Sequence, residues 1–286
     1  MMQVEWTEES LIEDFIIYLR RKNLAPNTIT SYCYGVQLYF KYSTILTPEH
    51  LRAFREVLIA HYLPSSVNSR IHAMNHFLLF LEHEYYGSFP DVYQFRLQAV
   101  KLPKRSFQDT VISNQDCKKL QRKLKQDGYD FWYFVVRFLV TTGVRVSELT
   151  QIKVEHLSCG YLDLYSKGGK IRRIYITDSL CAEALTWCNE RGCKSGFLFL
   201  TRTGRPVTAR GIQTRLKHFA HLYKIDSNTV YPHSFRHRFA KNFLRRCRDI
   251  SLLADLLGHE SIETTRIYLT SSCKEQQKLL DDIVTW

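Results

Sequence analysis

One interruption in an otherwise periodic sequence decides what this chain can fold into. Ahead of it, apolar residues recur at helical spacing. Between about Leu97 and Ser113 that rhythm stops, in LQAVKLPKRSFQDTVIS. Pro103, set among Lys101, Lys104 and Arg105, disfavours helix and suits an extended, basic connector. Beyond it the texture changes, and short β-like runs join the helices. The expectation is a helical domain over residues 1–100, a linker over 101–112 and a mixed domain over 113–286.

The helices of the first domain are marked by their ends. Thr7 precedes an acidic turn and the apolar Leu11, Phe15, Ile16 and Leu19, and Arg20-Arg21-Lys22 closes the segment, so both termini suit the helix dipole. Ile29, Tyr32, Val36, Tyr39 and Phe40 carry a second helix after a break at Asn23 to Asn27. Thr47-Pro48 opens a third. Pro64-Ser65-Ser66 opens a fourth, with Ile71, Met74, Phe77, Leu78 and Leu81 on one face. In the second domain Phe131 to Thr141 is almost wholly apolar, a buried helix, and Ser147 to Ile152 continues helically. Tyr161 to Tyr165 and Ile171 to Ile176 read as strands joined at Ser166-Lys167-Gly168-Gly169-Lys170, a hairpin with a Gly-Gly turn. The fold class expected is mainly α with a small β-hairpin, an all-helical N-terminal domain followed by an α+β domain.

Charge separates the two parts again. Among 286 residues, 40 Lys and Arg face 28 Asp and Glu, a net +12. Up to Lys104 the two signs cancel at ten each, so the whole excess lies from Arg105 onward. That asymmetry points to a polyanion, nucleic acid before an anionic membrane. No apolar run approaches the ~20 residues of a membrane span, and MMQVEWTEESLIEDF has no basic leader. A cytoplasmic protein is expected, with no membrane partner. Eight cysteines are scattered without a C-x-x-C pair, so reduced thiols are expected and a structural metal is not.

Several polar residues stand in settings that fix them. Arg145, in TTGVRVSEL, follows the buried helix and a glycine, and Glu148 lies one helical turn on. Lys167 occupies the hairpin tip. His233 and Arg236, in YPHSFRHRFA, share a helix face after Pro232. His259 follows Leu257-Gly258, a helix C-cap pattern, and Tyr268 comes nine residues later on a helix begun by Ser261. Singly, each has a plain structural explanation as a cap, a turn residue or a packing residue.

Together, Arg145, Lys167, His233-x-x-Arg236, Leu257-Gly258-His259 and Tyr268 resemble the catalytic pattern of the tyrosine recombinase, or phage integrase, family, and above all its compact Xer-like members. The hairpin reads SKGGK where GKG(N/G)K is commoner, which bears on the loop backbone and not on the lysine. The resemblance covers the whole chain and implies a core-binding domain followed by a catalytic domain. It also implies site-specific recombination of double-stranded DNA at paired short core sites, through a 3′-phosphotyrosyl intermediate.

The chemistry accounts for these residue types. A phosphodiester is an anion, and attack loads its non-bridging oxygens with more charge. Guanidiniums such as Arg145 and Arg236 can hold those oxygens bidentately. A phenol must lose its proton to become the nucleophile, Tyr268, and the departing 5′-oxygen must gain one, a task within reach of Lys167. The resemblance implies that His233 assists proton transfer at the nucleophile, that His259 hydrogen-bonds the phosphate and that Glu148 orients its neighbours. The phosphotyrosyl link conserves the bond's free energy, so no cofactor is expected, and neither a phosphate-binding P-loop nor an acidic cluster for two metal ions occurs. The tail, with Leu279, Leu280, Ile283 and Val284, is implied to dock on a neighbouring subunit in a homotetramer, or else folds back on its own domain. No room precedes Thr7 for an additional arm-binding domain, so a simple recombinase is expected. A topoisomerase of the same chemistry, a non-enzymatic DNA-binding regulator and a metal-dependent nuclease are the rival readings.

Overall fold

The computed structural model describes residues 6–102, 110–165, 171–259 and 261–269, with positions 277, 280, 281, 283 and 284 of the tail. The chain divides into two compact units, Met1–Lys104 and Arg105–Trp286.

The first unit consists of α1 (Glu8–Arg21), α2 (Pro26–Tyr42), α3 (Pro48–His61) and α4 (Pro64–Glu84). Thr7 closes a capping box with Ser10, each side chain accepting the other's backbone N–H. The remaining three helices begin on proline, whose missing N–H costs nothing in the first turn. Pro26 thus opens α2 where the sequence suggested a longer break. The interior is aromatic. Phe15 meets Phe77 edge to face at 5.2 Å, and Tyr39 meets Phe54 likewise at 5.1 Å. After α4 the chain returns along it. Asn75 exchanges two hydrogen bonds with the backbone of Leu97, and Asn68 does the same with Val100, all at 2.8–2.9 Å. Periodicity fades at Leu97 because side-chain amides, and not a repeating element, hold this stretch down.

The second unit opens with α5 (Asn114–Gln126), capped by the Ser113 hydroxyl, and α6 (Asp130–Thr142), the apolar helix at its centre. The short α7 (Val146–Leu149) and α8 (Val154–Cys159) lead into β1 (Tyr161–Tyr165) and β2 (Ile171–Tyr175). These strands pair antiparallel, from Tyr161 opposite Tyr175 to Tyr165 opposite Ile171. Then follow α9 (Asp178–Glu190), α10 (Ala209–Leu222), α11 (Pro232–Arg246), α12 (Ile250–Leu257) and α13 (Ile262–Arg266), with a 3-10 turn at Ile267–Leu269.

Two expectations need correction. The helix expected through Ile152 is only the four-residue α7, because Lys153 leaves to form an antiparallel bridge with Phe197. Tyr268 stands on the 3-10 turn after α13 and not on a continuous α-helix. Among the described residues no helix is long and apolar enough to cross a membrane, and the seven cysteines among them are free thiols.

Candidate active site

Four separate stretches of the second unit meet around the C-terminal ends of α6 and α12. A helix leaves its last carbonyls without intrahelical partners and carries partial negative charge there. Three arginines use those carbonyls as anchors. Arg236 of α11 donates through Nη1 to the Gly143 carbonyl at 2.8 Å and through Nη2 to that of Leu257 at 2.5 Å. Arg145, which precedes α7, donates to the Gly258 carbonyl at 3.2 Å. Arg172 of β2 donates to that of Leu256 at 3.1 Å. Gly143 ends α6 in the left-handed region, φ 63°, and a Cβ there would lie 2.5 Å from the Phe239 ring. The turn that presents its carbonyl to Arg236 therefore needs glycine.

One carboxylate serves this cationic group. Glu148 is buried, accepts the Arg145 N–H on Oε2 at 2.7 Å, and receives on Oε1 both Arg145 Nη1 at 2.8 Å and Arg172 Nη1 at 2.7 Å. Burial alone would raise its pKa. The Arg172 charge, followed by the Arg145 N–H and guanidinium, outweighs burial and holds the carboxyl below its ordinary range. Three guanidiniums against one carboxylate leave the site strongly positive. Arg236, only 1% exposed, is pulled down to about 10 by burial and then by Arg145 and Arg172, with Tyr268 beside it acting in the opposite sense.

The nucleophile candidate is packed into this arrangement. Tyr268 is 3% exposed and shares a small apolar cluster with Ala240, Leu253 and Leu257. Its ring stacks on His259 at 5.8 Å. His259 Nε2 lies 3.0 Å from Arg236 Nη2, and its Nδ1 lies 2.8 Å from the hydroxyl of the fully buried Thr265. Burial, then the charges of Arg236, Arg145 and Arg172, lower His259 to about 4, so the ring is neutral at neutral pH. His233 sits exposed at the start of α11. It too is lowered, by the protein packed around it and then by Arg236 and Arg145.

Arg145, Glu148, Arg236, His259 and Tyr268 are thus brought together. His233 reaches the group through a residue that sequence reasoning missed. The ring of His237 lies edge to face with both His233 and Tyr268, at 4.8 Å from each. Its position one helical turn after His233, beside Arg236, was the available signal. Arg172 and Thr265 were missed as well. Lys167, at the hairpin tip, lies outside the described residues. Beside the site an open groove of about 1150 Å³ runs between the hairpin and α12, with Arg145, Arg172 and His259 in its lining. Among the described residues no group of His, Cys, Asp or Glu side chains could hold a metal ion.

Comparison with known proteins agrees with this architecture. The "Phage integrase family" model matches residues 111–275, and the model "Phage integrase, N-terminal SAM-like domain" matches residues 12–85. The chain belongs to the phage integrase family, the tyrosine recombinases, enzymes that break and rejoin DNA in site-specific recombination. Within that family it is a compact, Xer-like recombinase. It is 28% identical to Tyrosine recombinase XerA of Pyrococcus furiosus, over 99% of both chains. It is also 28% identical to Tyrosine recombinase XerD of Listeria innocua, over 90% of this chain and 93% of that one. In fold it resembles the XerH site-specific recombinase bound to a palindromic difH substrate, with TM-score 0.72 and 18% identity over 97% of this chain and 84% of that one. A lambda integrase tetramer bound to a Holliday junction gives TM-score 0.69 at 17% identity, over 93% and 78%.

Proposed function

We propose that Tyr268 attacks a phosphodiester of duplex DNA, with Arg145, Arg236 and His259 binding the phosphate and Lys167 and His233 handling protons. The observation that carries this reading is the packing of Tyr268 against His259 and beside Arg236, in a pocket whose cations are tied to helix-end carbonyls. In the step itself the phenol oxygen bonds to phosphorus and the bond to the 5′-oxygen breaks. The phenol proton leaves by way of His233, and the 5′-oxygen takes a proton from Lys167. The product is a 3′-phosphotyrosyl link, reversed when the 5′-hydroxyl of a second duplex attacks.

Arg145 supports the phosphate-binding role because its side chain is 41% exposed while Glu148 holds its direction. Arg236 is closed off, so phosphate binding requires Tyr268 to move off its guanidinium. Residues 1–100 form the core-binding domain in this reading, 113–286 the catalytic domain, and the linker between them follows the DNA backbone. The enzyme acts in the cytoplasm as a homotetramer on paired short core sites. Its C-terminal tail docks on the neighbouring subunit, consistent with the exposure of Leu280, Ile283 and Val284.

A nicked suicide duplex tests the assignment. Wild-type protein should accumulate a covalent adduct as the short fragment diffuses away, and proteolysis should leave DNA on the Tyr268 peptide. Tyr268→Phe should keep its fold and its DNA binding yet form no adduct, since the ring still fills its place among Leu253 and Leu257. Adduct on Tyr231 or Tyr223, or surviving in Tyr268→Phe, would overturn the reading.

A further inference from the structure

Two arginines stand side by side on β2 and do opposite things. Successive residues of a strand point to opposite faces. Arg173 faces outward and pairs across the sheet with Asp163 through two bonds of 2.7 Å. Arg172 faces inward on the side of Ile174 and Leu162, both buried, where an aliphatic residue would ordinarily sit. Its side chain is 10% exposed.

The inward arginine joins three elements. Nη1 reaches Glu148 Oε1 at 2.7 Å, the oxygen that also receives Arg145. Nε reaches the Leu256 carbonyl at the end of α12. The aliphatic stem lies against Gly258, where a Cβ would fall 2.1 Å from Arg172 Cδ. The glycine before His259 is therefore needed for this stem as well as for its φ of 62°. Nη2 is buried without a hydrogen-bond partner among the described residues. Native structures seldom leave such a group unpaired, so what the other two nitrogens do must outweigh that cost.

We propose that Arg172 is a positioning residue for the cleavage reaction: it clamps β2, the strand leading from the Lys167 hairpin, to the end of α12 and, by sharing Glu148, sets the direction of the Arg145 guanidinium. This role rests on the assignment of the site made above. It needs the rigid fork of a guanidinium, because a lysine at the same place could satisfy Glu148 as a point charge but could not also hold the Leu256 carbonyl. Its effect falls on the chemical step. DNA affinity, which is spread over many phosphate contacts, stays nearly the same.

The test uses the full chain and the nicked suicide duplex, measuring single-turnover adduct formation beside DNA affinity by fluorescence anisotropy. Arg172→Lys, Arg172→Met, Glu148→Gln and the double variant Arg172→Met/Glu148→Gln are compared, with thermal melts reporting folding. Adduct formation should slow by about tenfold or more in both Arg172 variants, with affinity within about threefold of wild type. The losses of the two single variants should multiply to more than the loss of the double variant, because the Arg172–Glu148 contact they share is removed only once. Should Arg172→Met fail to fold, Arg172→Lys, which keeps the charge, carries the comparison alone. Wild-type rate in Arg172→Lys, multiplying losses in the double variant, or affinity falling in step with rate would overturn the positioning role. A wild-type protein without adduct, or adduct in Tyr268→Phe, would overturn the site assignment and this inference together.

Discussion

In the first unit the buried side chains are apolar or aromatic: Phe54 and Phe40 meet Tyr39 edge to face, Phe15, Phe77 and Phe80 pack on one another, and no buried charge occurs among its described residues. The second unit buries Glu148, Arg236, His237, Arg238 and Lys241 beside an apolar core of its own. Polar burial is costly unless every group is partnered. Here the cost falls within one unit: Glu148, Arg236 and His237 lie about the ends of α6 and α12, while Arg238 donates to the Ile112 carbonyl at 2.6 Å. The comparison separates a part of the chain optimised for packing from a part that gives up packing to hold charge in place. Net charge divides the same way, since the +12 arises from Arg105 onward.

This contrast can be broken by substitution. Phe77→Ala removes a fully buried ring from the aromatic core and should cost about 3–5 kcal/mol of stability. The rate of adduct formation at saturating DNA should hardly change below the melting transition. A chemical defect in that variant would show that the two units are not specialised as described. Arg236→Met should behave in the opposite way. If Arg236 binds the phosphate as proposed, its loss should lower adduct formation by about 10²–10³-fold. Relief of a desolvated charge should offset the loss of its hydrogen bonds to Gly143 and Leu257, leaving stability within about 2 kcal/mol of wild type. Urea unfolding beside single-turnover cleavage measures both.

The smallest effect expected is one of pH. Burial, then the charges around it from His233, Lys241, Arg236 and His259, lowers His237 to about 4. Its unfolded value is near ~6.5. In the window between, the unfolded chain binds a proton that the folded protein refuses. Stability should therefore fall as pH drops from about 6.5, by roughly 2 kcal/mol at pH 5 from this residue. His237→Phe keeps a ring between His233 and Tyr268 and should remove its share of that slope in urea melts at a series of pH values, leaving the share of His259, which is lowered to about 4 as well. An unchanged slope would mean that His237 does not resist protonation in the folded state.

Much of the fold was legible because it rests on local signals. Pro48 and Pro64 open helices, Thr7 caps one, and the glycines at 143 and 258 end others in left-handed backbone. Arg145, Glu148, Arg236, His259 and Tyr268 could be named from order and spacing through resemblance to a family. Arg172 could not, since IRRIY offers two adjacent arginines and only the register of β2 decides which one turns inward. Thr265 looked like an ordinary helix residue until its hydroxyl met His259. His237 was hidden beside Arg236, its role set by a ring that arrives from a turn 31 residues further along the chain. What remained illegible depends on contacts between elements distant in sequence.

The anchoring of Arg145, Arg172 and Arg236 on helix-end carbonyls has a consequence for temperature and affinity. A free arginine side chain carries about 2 kcal/mol of rotamer entropy. In a protein with loose surface arginines, much of that freedom disappears when a phosphate is gripped, and it weakens binding. Here the three guanidiniums already have fixed partners at Gly143, Leu256, Leu257 and Gly258. Their disorder is surrendered when the chain folds, so in the proposed assignment a phosphate meets Arg145 and Arg236 already stilled, with Arg172 steadying them, and the second unit carries that entropic loss in its own stability whether or not DNA is present.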